Sequence, residues 1–425
     1  MTQDKDSTPS EDDLSAEAHV IVRMGKALLN AGACTYRVRR CMELVASAMD
    51  IEWLQSQVTL NELTVTLFKG KTFRTQVGQV HSIGVNADKL SRLERMAEEL
   101  PKSTPRELER MIDAIDCQKR RYPPWLNALC AAIACTAVGF LNNAWWLAVA
   151  GILVGAFLGQ FVRVTMARFH LNAYLTALTS ALVASFSYVG ITASLSALAP
   201  GSDYGAGCVS ALIFLVPGFP LVNATLDLVK TDITAGLTRL TYAFLILVSA
   251  AAALVVATWA IGVQPTPLPP PPLDPALYWL LSAAASWIGV AGWAVMFNSC
   301  LSGAALAGCV GLIANLIRLG MLGAGSPLWL AAAVGCFVIG LLAYLSAEKA
   351  KLAYATIAVP AALIMVPGVP AYRALVAFSS GDVQTLLVNS SAAIFTIVGM
   401  AIGLSVARIL TERGWVLDKR RPLGA

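Results

Sequence analysis

From residue 123 onward the chain is a succession of long apolar runs separated by short polar breaks. Before that point apolar positions recur at helix and strand spacing. Val20, Met24, Ala27, Leu28 and Ala31 follow a helical period. A break at Asn30–Gly32 precedes a second helical set, Val38, Met42, Val45 and Ala46. Strand patterns follow at Ile51–Gln57, Leu60–Phe68 and Phe73–Val80, and the Gly70 turn in FKGKTF predicts a hairpin. Val85–Leu100 and Pro105–Ile115 predict two further helices, with Asn86 and Thr104 as N-caps. The expected unit is a small α+β domain with helices packed on an antiparallel sheet. Ten apolar segments follow, each near the roughly 20 residues that cross a bilayer: 125–142, 144–162, 173–199, 205–229, 241–263, 276–296, 299–317, 328–346, 353–378 and 390–410. The expected fold class is an α-helical polytopic membrane protein of ten transmembrane helices preceded by a soluble α+β domain. The expected divisions are a disordered tail at 1–13, the α+β domain at 14–122, five spans at 123–263, a stiff Pro-rich linker at 264–275, five spans at 276–410 and a basic tail at 411–425.

Composition agrees with a membrane protein: 57% of residues are hydrophobic and 13% charged, with a mean hydropathy of +0.66. Residues 1–122 hold 18 Lys+Arg and 18 Asp+Glu, whereas 123–425 hold 13 and 8. The polar, acidic start predicts no signal peptide. Lys119, Arg120 and Arg121 precede the first span and place the N-domain inside. Alternate counting then puts Arg163, Arg168, Lys230, Arg239, Lys349, Lys351, Arg408, Arg413, Lys419, Arg420 and Arg421 inside. Only Arg318 and Arg373 fall at outer or intramembrane positions. Both termini are expected in the cytoplasm and the chain in a bacterial inner membrane, with lipid as its surroundings. Trp145, Trp146, Trp279 and Trp329 read as interface anchors, and GILVGAFLG and the Gly399/Gly403 pair as close-packing motifs. The nine cysteines show no metal-ligand spacing, and His19, His81 and His170 are scattered. No cofactor, metal or nucleic-acid partner is expected, a nucleotide-driven pump is disfavoured, and a homo-oligomer is left open.

The chemistry concentrates in one stretch, FLVPGFPLVNATLDLVKTD at 214–232. Two prolines and a glycine break a span, and the break is followed by Asn223, Asp227 and Asp232. VPGFPLVNA recurs as VPGVPAYRA 150 residues on. Pro217, Gly218 and Pro220 correspond to Pro367, Gly368 and Pro370, Asn223 to Arg373, and Asp232 to Asp382. Five spans per half is an odd number, so the halves are expected as a 5+5 inverted repeat, the plan of many secondary transporters. A break in lipid is tolerated where protein or a watery cavity satisfies the freed backbone groups. Pro217, Gly218, Pro220, Asn223, Asp227, Pro367, Gly368, Pro370, Tyr372 and Arg373 are therefore the candidate substrate residues. Asp227, Asp232 and Asp382 are candidates for a proton carrier or a contact to a substrate amine. Alternatives stay open: Asp227 and Asp232 as hydrated interface charges beside Lys230, and Arg373 binding a carboxylate, pairing with Asp382 or snorkelling outward.

With VPGFPLVNATLDLVKTD, VPGVPAYRAL followed by SGD, GACTYRV at 32–38 and GVNADKLSRL at 84–93, the chain resembles the threonine/serine exporter family over about residues 15–410. The resemblance implies export of a small solute by a fused form of halves that some relatives keep as two polypeptides, a split type associated with succinate. Threonine or serine, with proton coupling, is the first expected cargo, and a C4 dicarboxylate the alternative. Relatives usually carry acidic residues where Cys34 and Arg39 stand here. A membrane-anchored hydrolase with a catalytic N-domain is the competing class, and the N-domain sequence holds no nucleophile–base or metal constellation to support it.

Overall fold

The computed structural model describes residues 11–80, 84–144, 146–169, 171–196, 205–261 and 271–412. The first ten residues, His81, Trp145, His170, Pro265–Pro270, Arg413, Lys419, Arg420 and Arg421 lie outside the described residues. The chain opens with helices α1 (Glu11–Ala31) and α2 (Thr35–Ala48), followed by strands β1 (Trp53–Val58), β2 (Glu62–Lys69) and β3 (Thr72–Gln79). These strands form an antiparallel sheet in the order β1-β2-β3, with Trp53 opposite Phe68 and Phe68 opposite Phe73. Gly70 takes the left-handed conformation that its two-residue turn requires. The two-residue period of β2 turns Leu63, Val65 and Leu67 inward, where they meet Ile21, Met24 and Leu28 of α1 and Met42 of α2. Helices α3 (Ala87–Glu98) and α4 (Pro105–Asp116) close this core with Leu90, Leu93, Leu108 and Ile112. Asn86 caps α3 through the Lys89 amide, and a Thr104/Glu107 capping box starts α4.

Among the described residues, eight helices are long and apolar enough to cross a membrane: α5 (Pro124–Leu141), α6 (Trp146–Ala167), α7 (Ala173–Ser196), α10 (Ile233–Ile261), α11 (Pro275–Met296), α12 (Leu301–Gly323), α13 (Leu328–Ala350) and α16 (Val383–Thr411). Two bent pairs add to them. Helix α8 (Gly205–Ser210), extended by a 3-10 turn at Ile213–Leu215, meets α9 (Gly218–Val229) at 65°, and α14 (Tyr354–Leu363) meets α15 (Gly368–Ser380) at 50°. The count is ten if each bent pair is one crossing. The protein is multi-pass and membrane-embedded. Helices α10 and α16 begin well before the apolar runs that start near 241 and 390. Their first turns carry Thr234, Thr238, Arg239, Gln384, Thr385 and Asn389, which a hydropathy pattern reads as loop. These side chains hold the helix instead: Thr238 donates to the Thr234 carbonyl at 2.6 Å and Asn389 to that of Thr385 at 2.9 Å.

The two bent pairs share their backbone in detail. The Gly218 amide donates to the Val216 carbonyl at 2.8 Å, and the Gly368 amide to the Val366 carbonyl at 2.8 Å. Leu221 donates to Pro217, and Ala371 to Pro367, each at 3.0 Å. Both pairs end in a left-handed residue, Thr231 (φ 61°) and Gly381 (φ 73°). A second correspondence links the turns after α5 and α11, where Asn143 (φ 68°) and Asn298 (φ 66°) are left-handed. The pairs run in opposite directions. Helix α9 ends against the N-terminal unit, where Asp232 meets Arg39, whereas α14 begins there, with Thr356 2.8 Å from Ser91. The glycine motifs are contact points. A Cβ on Gly155 would stand 2.6 Å from the Ala184 carbonyl of α7, and one on Gly403 would strike the Ala333 carbonyl of α13.

Candidate functional site

Proline denies each bent pair a helical hydrogen bond, and the chain re-forms a helix immediately after the break. The two breaks meet each other. A Cβ on Gly218 would fall on the Leu363 side chain, whose Cγ lies 2.9 Å away, and one on Gly368 would stand 3.2 Å from Val216 Cγ2. Beside this crossing lies a cavity of about 190 Å³, more than ten times the about 10–15 Å³ that one water needs. Its lining includes the polar residues Asn142, Arg318, Arg373 and Thr396, together with the break residues Ile364–Gly368. No Asp or Glu lines it among the described residues, and neither arginine forms an ion pair among them. Arg318 is held by a buried relay. Its Nε donates to Asn315 Oδ1 at 3.0 Å, Asn315 Nδ2 donates to Ser286 Oγ at 2.8 Å, and Ser286 donates to the Ser282 carbonyl at 2.6 Å.

The polar residues after the first break serve a different contact. Asn223 donates to the Gly32 carbonyl at 2.8 Å. Asp227 accepts from the Thr35 amide at 3.0 Å and the Thr35 hydroxyl at 3.1 Å, and it pairs with Arg239 at 2.9 Å. The Asp227 and Arg239 side chains are 1% and 4% exposed, so neither charge has water as an alternative partner. Arg239 also donates to the Ala33 carbonyl at 3.1 Å, and Arg39 pairs with Asp232 at 2.7 Å. Lys230, which lies between these acids in the chain, stands over the Tyr36 ring. The left-handed Gly32 and the start of α2 are thus plugged onto α9 and α10. Cys34 is buried beside this latch, and burial pushes its thiol up to about 11, so it packs as a neutral group.

The candidate residues therefore separate. Pro367, Gly368, Pro370 and Arg373 line the cavity. Pro217 and Gly218 stand behind it at the crossing, their stretch represented in the lining by Ile213, Phe214 and Val216. Pro220 is half-buried in the first turn of α9, and Tyr372 is wholly buried outside the lining, its hydroxyl without a hydrogen bond among the described residues. Asn223, Asp227 and Asp232 face the N-terminal unit. Asp382 is exposed and caps α16 by accepting from the Thr385 amide at 3.0 Å, and these contacts with Thr385 hold its carboxyl below the ordinary range. Among the described residues, no three His, Cys, Asp or Glu side chains are placed to hold a metal ion. The sequence reading counted Arg163 and Arg318 only as topology markers and passed over Gln160 and Asn315. The signal was present: QFVR at 160–163 and NLIR at 315–318 set an amide and an arginine three apart on the second helix of each half.

Residues 19–261 match a family model described as "Putative threonine/serine exporter", and residues 282–410 match one described as "Threonine/Serine exporter, ThrE". The chain belongs to the threonine/serine exporter family. Similar proteins include the "Probable succinate transporter subunit YjjP" of Escherichia coli strain K12, 25% identical over 252 residues that cover 59% of this chain and 96% of that protein. The protein of the same name from Klebsiella aerogenes is 23% identical over 259 residues, covering 59% and 95%. "Pheromone-regulated membrane protein 10" of Eremothecium gossypii is 24% identical over 243 residues, covering 55% of this exporter-family chain but 32% of the fungal protein. No solved structure matches the chain.

Proposed function

We propose that this chain is a secondary exporter of a small dicarboxylate of the C4 class, working by alternating access of two inverted five-span halves around the paired Pro-Gly breaks. The observation that carries the substrate class is the cavity at the crossing, with Arg318 and Arg373 in its lining and no carboxylate among the described residues there. Two guanidiniums suit two carboxylates, since each presents a planar fork to a carboxylate's two oxygens. The succinate named for the Escherichia coli relative is of this chemistry. Asn142, Thr396 and the break backbone supply the remaining polar contacts. Threonine or serine is the second reading, favoured by the lining residue Ile364, whose carbonyl has no hydrogen bond among the described residues and can accept from a substrate ammonium.

In this reading the N-terminal unit lies in the cytoplasm of a bacterial cell, a side supported by the positive charges at that end of the bundle. It then closes the cytoplasmic end of the first broken span through Thr35, Arg39 and the Gly32 and Ala33 carbonyls. Asp227 is the proton carrier in this scheme. Protonation removes the charge that Arg239 and Thr35 hold, and so loosens the latch as the cycle turns. Purified protein in liposomes preloaded with labelled succinate, fumarate, threonine or serine, with and without a pH gradient, tests the assignment. Dicarboxylate efflux that exceeds amino-acid efflux and loses its pH-gradient response in Asp227→Asn is the expected result. Amino-acid efflux unaffected by excess succinate would overturn the substrate class.

A further inference from the structure

Helices α6 and α12 each carry an amide side chain three residues before an arginine, and each amide donates to the helix before its own. Gln160 of α6 donates to Asn127 of α5 at 2.8 Å, and Asn315 of α12 donates to Ser286 of α11 at 2.8 Å. Three residues further on stand Arg163 and Arg318. At that point the halves differ. Arg163 Nη1 donates at 2.8 Å to the carbonyl of Phe214, three residues before Pro217. Ile364, three residues before Pro367, is the corresponding position in the second break, and the hydrogen-bond pattern around the two is the same. Its carbonyl receives no hydrogen bond among the described residues, and Ile364 and Arg318 line the same cavity. One arginine therefore caps its break, and its counterpart faces an open space beside an uncapped one.

We infer that Arg163 and Arg318 exchange these roles during transport. In the state described here Arg163 holds the first break shut and Arg318 meets the substrate carboxylate. In the opposite state Arg318 caps the Ile364 carbonyl, and Arg163 leaves Phe214 to become the carboxylate contact of a cavity on the N-terminal-unit side. The exchange rests on the alternating-access scheme proposed above. Each half has two discrete arrangements that differ by one charge-assisted hydrogen bond to a carbonyl whose helical partner, the amide of Gly218 or Gly368, donates instead to Val216 or Val366, so each arginine biases the equilibrium toward the state it caps. The substrate makes the same choice at the free arginine, which couples binding on either side to release of the opposite cap. Asn315, which accepts from Arg318 Nε, acts as a positioning residue that keeps this guanidinium within reach of its break.

The test needs no substrate, so its outcome is independent of which solute the exporter carries. Thr396, 1% exposed in the cavity lining, and Ile246, its counterpart 150 residues earlier and 6% exposed on α10, serve as separate reporters, each adding one cysteine to the native nine, Thr396→Cys and Ile246→Cys. Maleimide labelling in permeabilised membranes, read at each peptide by mass spectrometry, gives the ratio of the two open states. Arg163→Gln lowers the Thr396→Cys to Ile246→Cys labelling ratio by about tenfold, and Arg318→Gln raises it by about tenfold, the size of one charge-assisted hydrogen bond. If either glutamine variant fails to accumulate in the membrane, Arg163→Lys and Arg318→Lys give smaller shifts with the same opposed signs. Shifts of the same sign, or no shift in either variant, overturn the exchange. Absence of dicarboxylate flux in liposomes with the opposed shifts intact overturns the substrate assignment alone.

Discussion

The two broken spans have one backbone and two uses. In both, Pro-Gly interrupts the span, the next helix starts at glycine and a left-handed residue ends it. Past the first break the chain places Asn223 and Asp227, and both are consumed in holding the N-terminal unit. Past the second it places Arg373 at the cavity, and Asp382 beyond it as an exposed cap. A duplicated motif thus fixes where a helix opens, and the residues one and two turns later decide whether the opening is latched or left for a solute. The packing at the crossing is unequal too. A Cβ on Gly218 would overlap the Leu363 side chain, whereas one on Gly368 would meet Val216 Cγ2 at 3.2 Å, a close approach without overlap.

The largest effect is expected at the latch. Asp227→Ala leaves Arg239 buried without its partner and should cost about 3–5 kcal/mol, with earlier proteolytic release of the N-terminal unit. The double variant with Arg239→Ala should be less damaged than the sum of the single changes, and strict additivity would show that the two charges do not act as a pair. Arg373→Gln comes next. Dicarboxylate affinity should fall at least about thirtyfold with thermal stability retained, the effect of removing one charged partner of a buried carboxylate. Gly218→Ala should cost about 1–3 kcal/mol and be partly relieved by Leu363→Ala, while Gly368→Ala should cost less. Equal costs in the two glycine variants would remove the asymmetry between the breaks. The smallest effect belongs to Asp382. Its carboxyl is held below the ordinary 3.8 by Thr385, so it is ionised across the neutral range. Its capping contribution is present above the unfolded value and fades as pH falls through the lower folded value. Asp382→Asn should keep both flux and its pH profile near neutrality, and a moved profile would make Asp382 a proton carrier after all.

Much of this was legible in the chain. The three strands, the caps at Asn86 and Thr104 and the apolar crossings follow from local periodicity and capping chemistry, which act over a few residues. The paired breaks were legible because proline and glycine act on the backbone directly. Which face Asn223 and Asp227 present was not, because their partners, Gly32 and Thr35, lie about 190 residues earlier and meet them only when the N-terminal unit docks. Arg318 was hidden for the opposite reason. A lone arginine near the end of a span reads as a topology marker, and only the relay through Asn315 and Ser286 turns it toward the cavity. The ranking of cargo changes with these placements. The resemblance had put an amino acid first, and with Asp227, a candidate amine contact, engaged by Thr35 and Arg239 the cavity retains two cations.

Equilibrium binding of labelled succinate to the purified full-length protein tests the central claim most directly, measured beside Arg318→Gln and Arg373→Gln with unlabelled threonine as competitor. Binding to the wild-type protein that is lost in each arginine variant, while excess threonine displaces little of the label, is the predicted result. Succinate binding that survives both substitutions in folded protein would place the carboxylate site elsewhere and contradict the account.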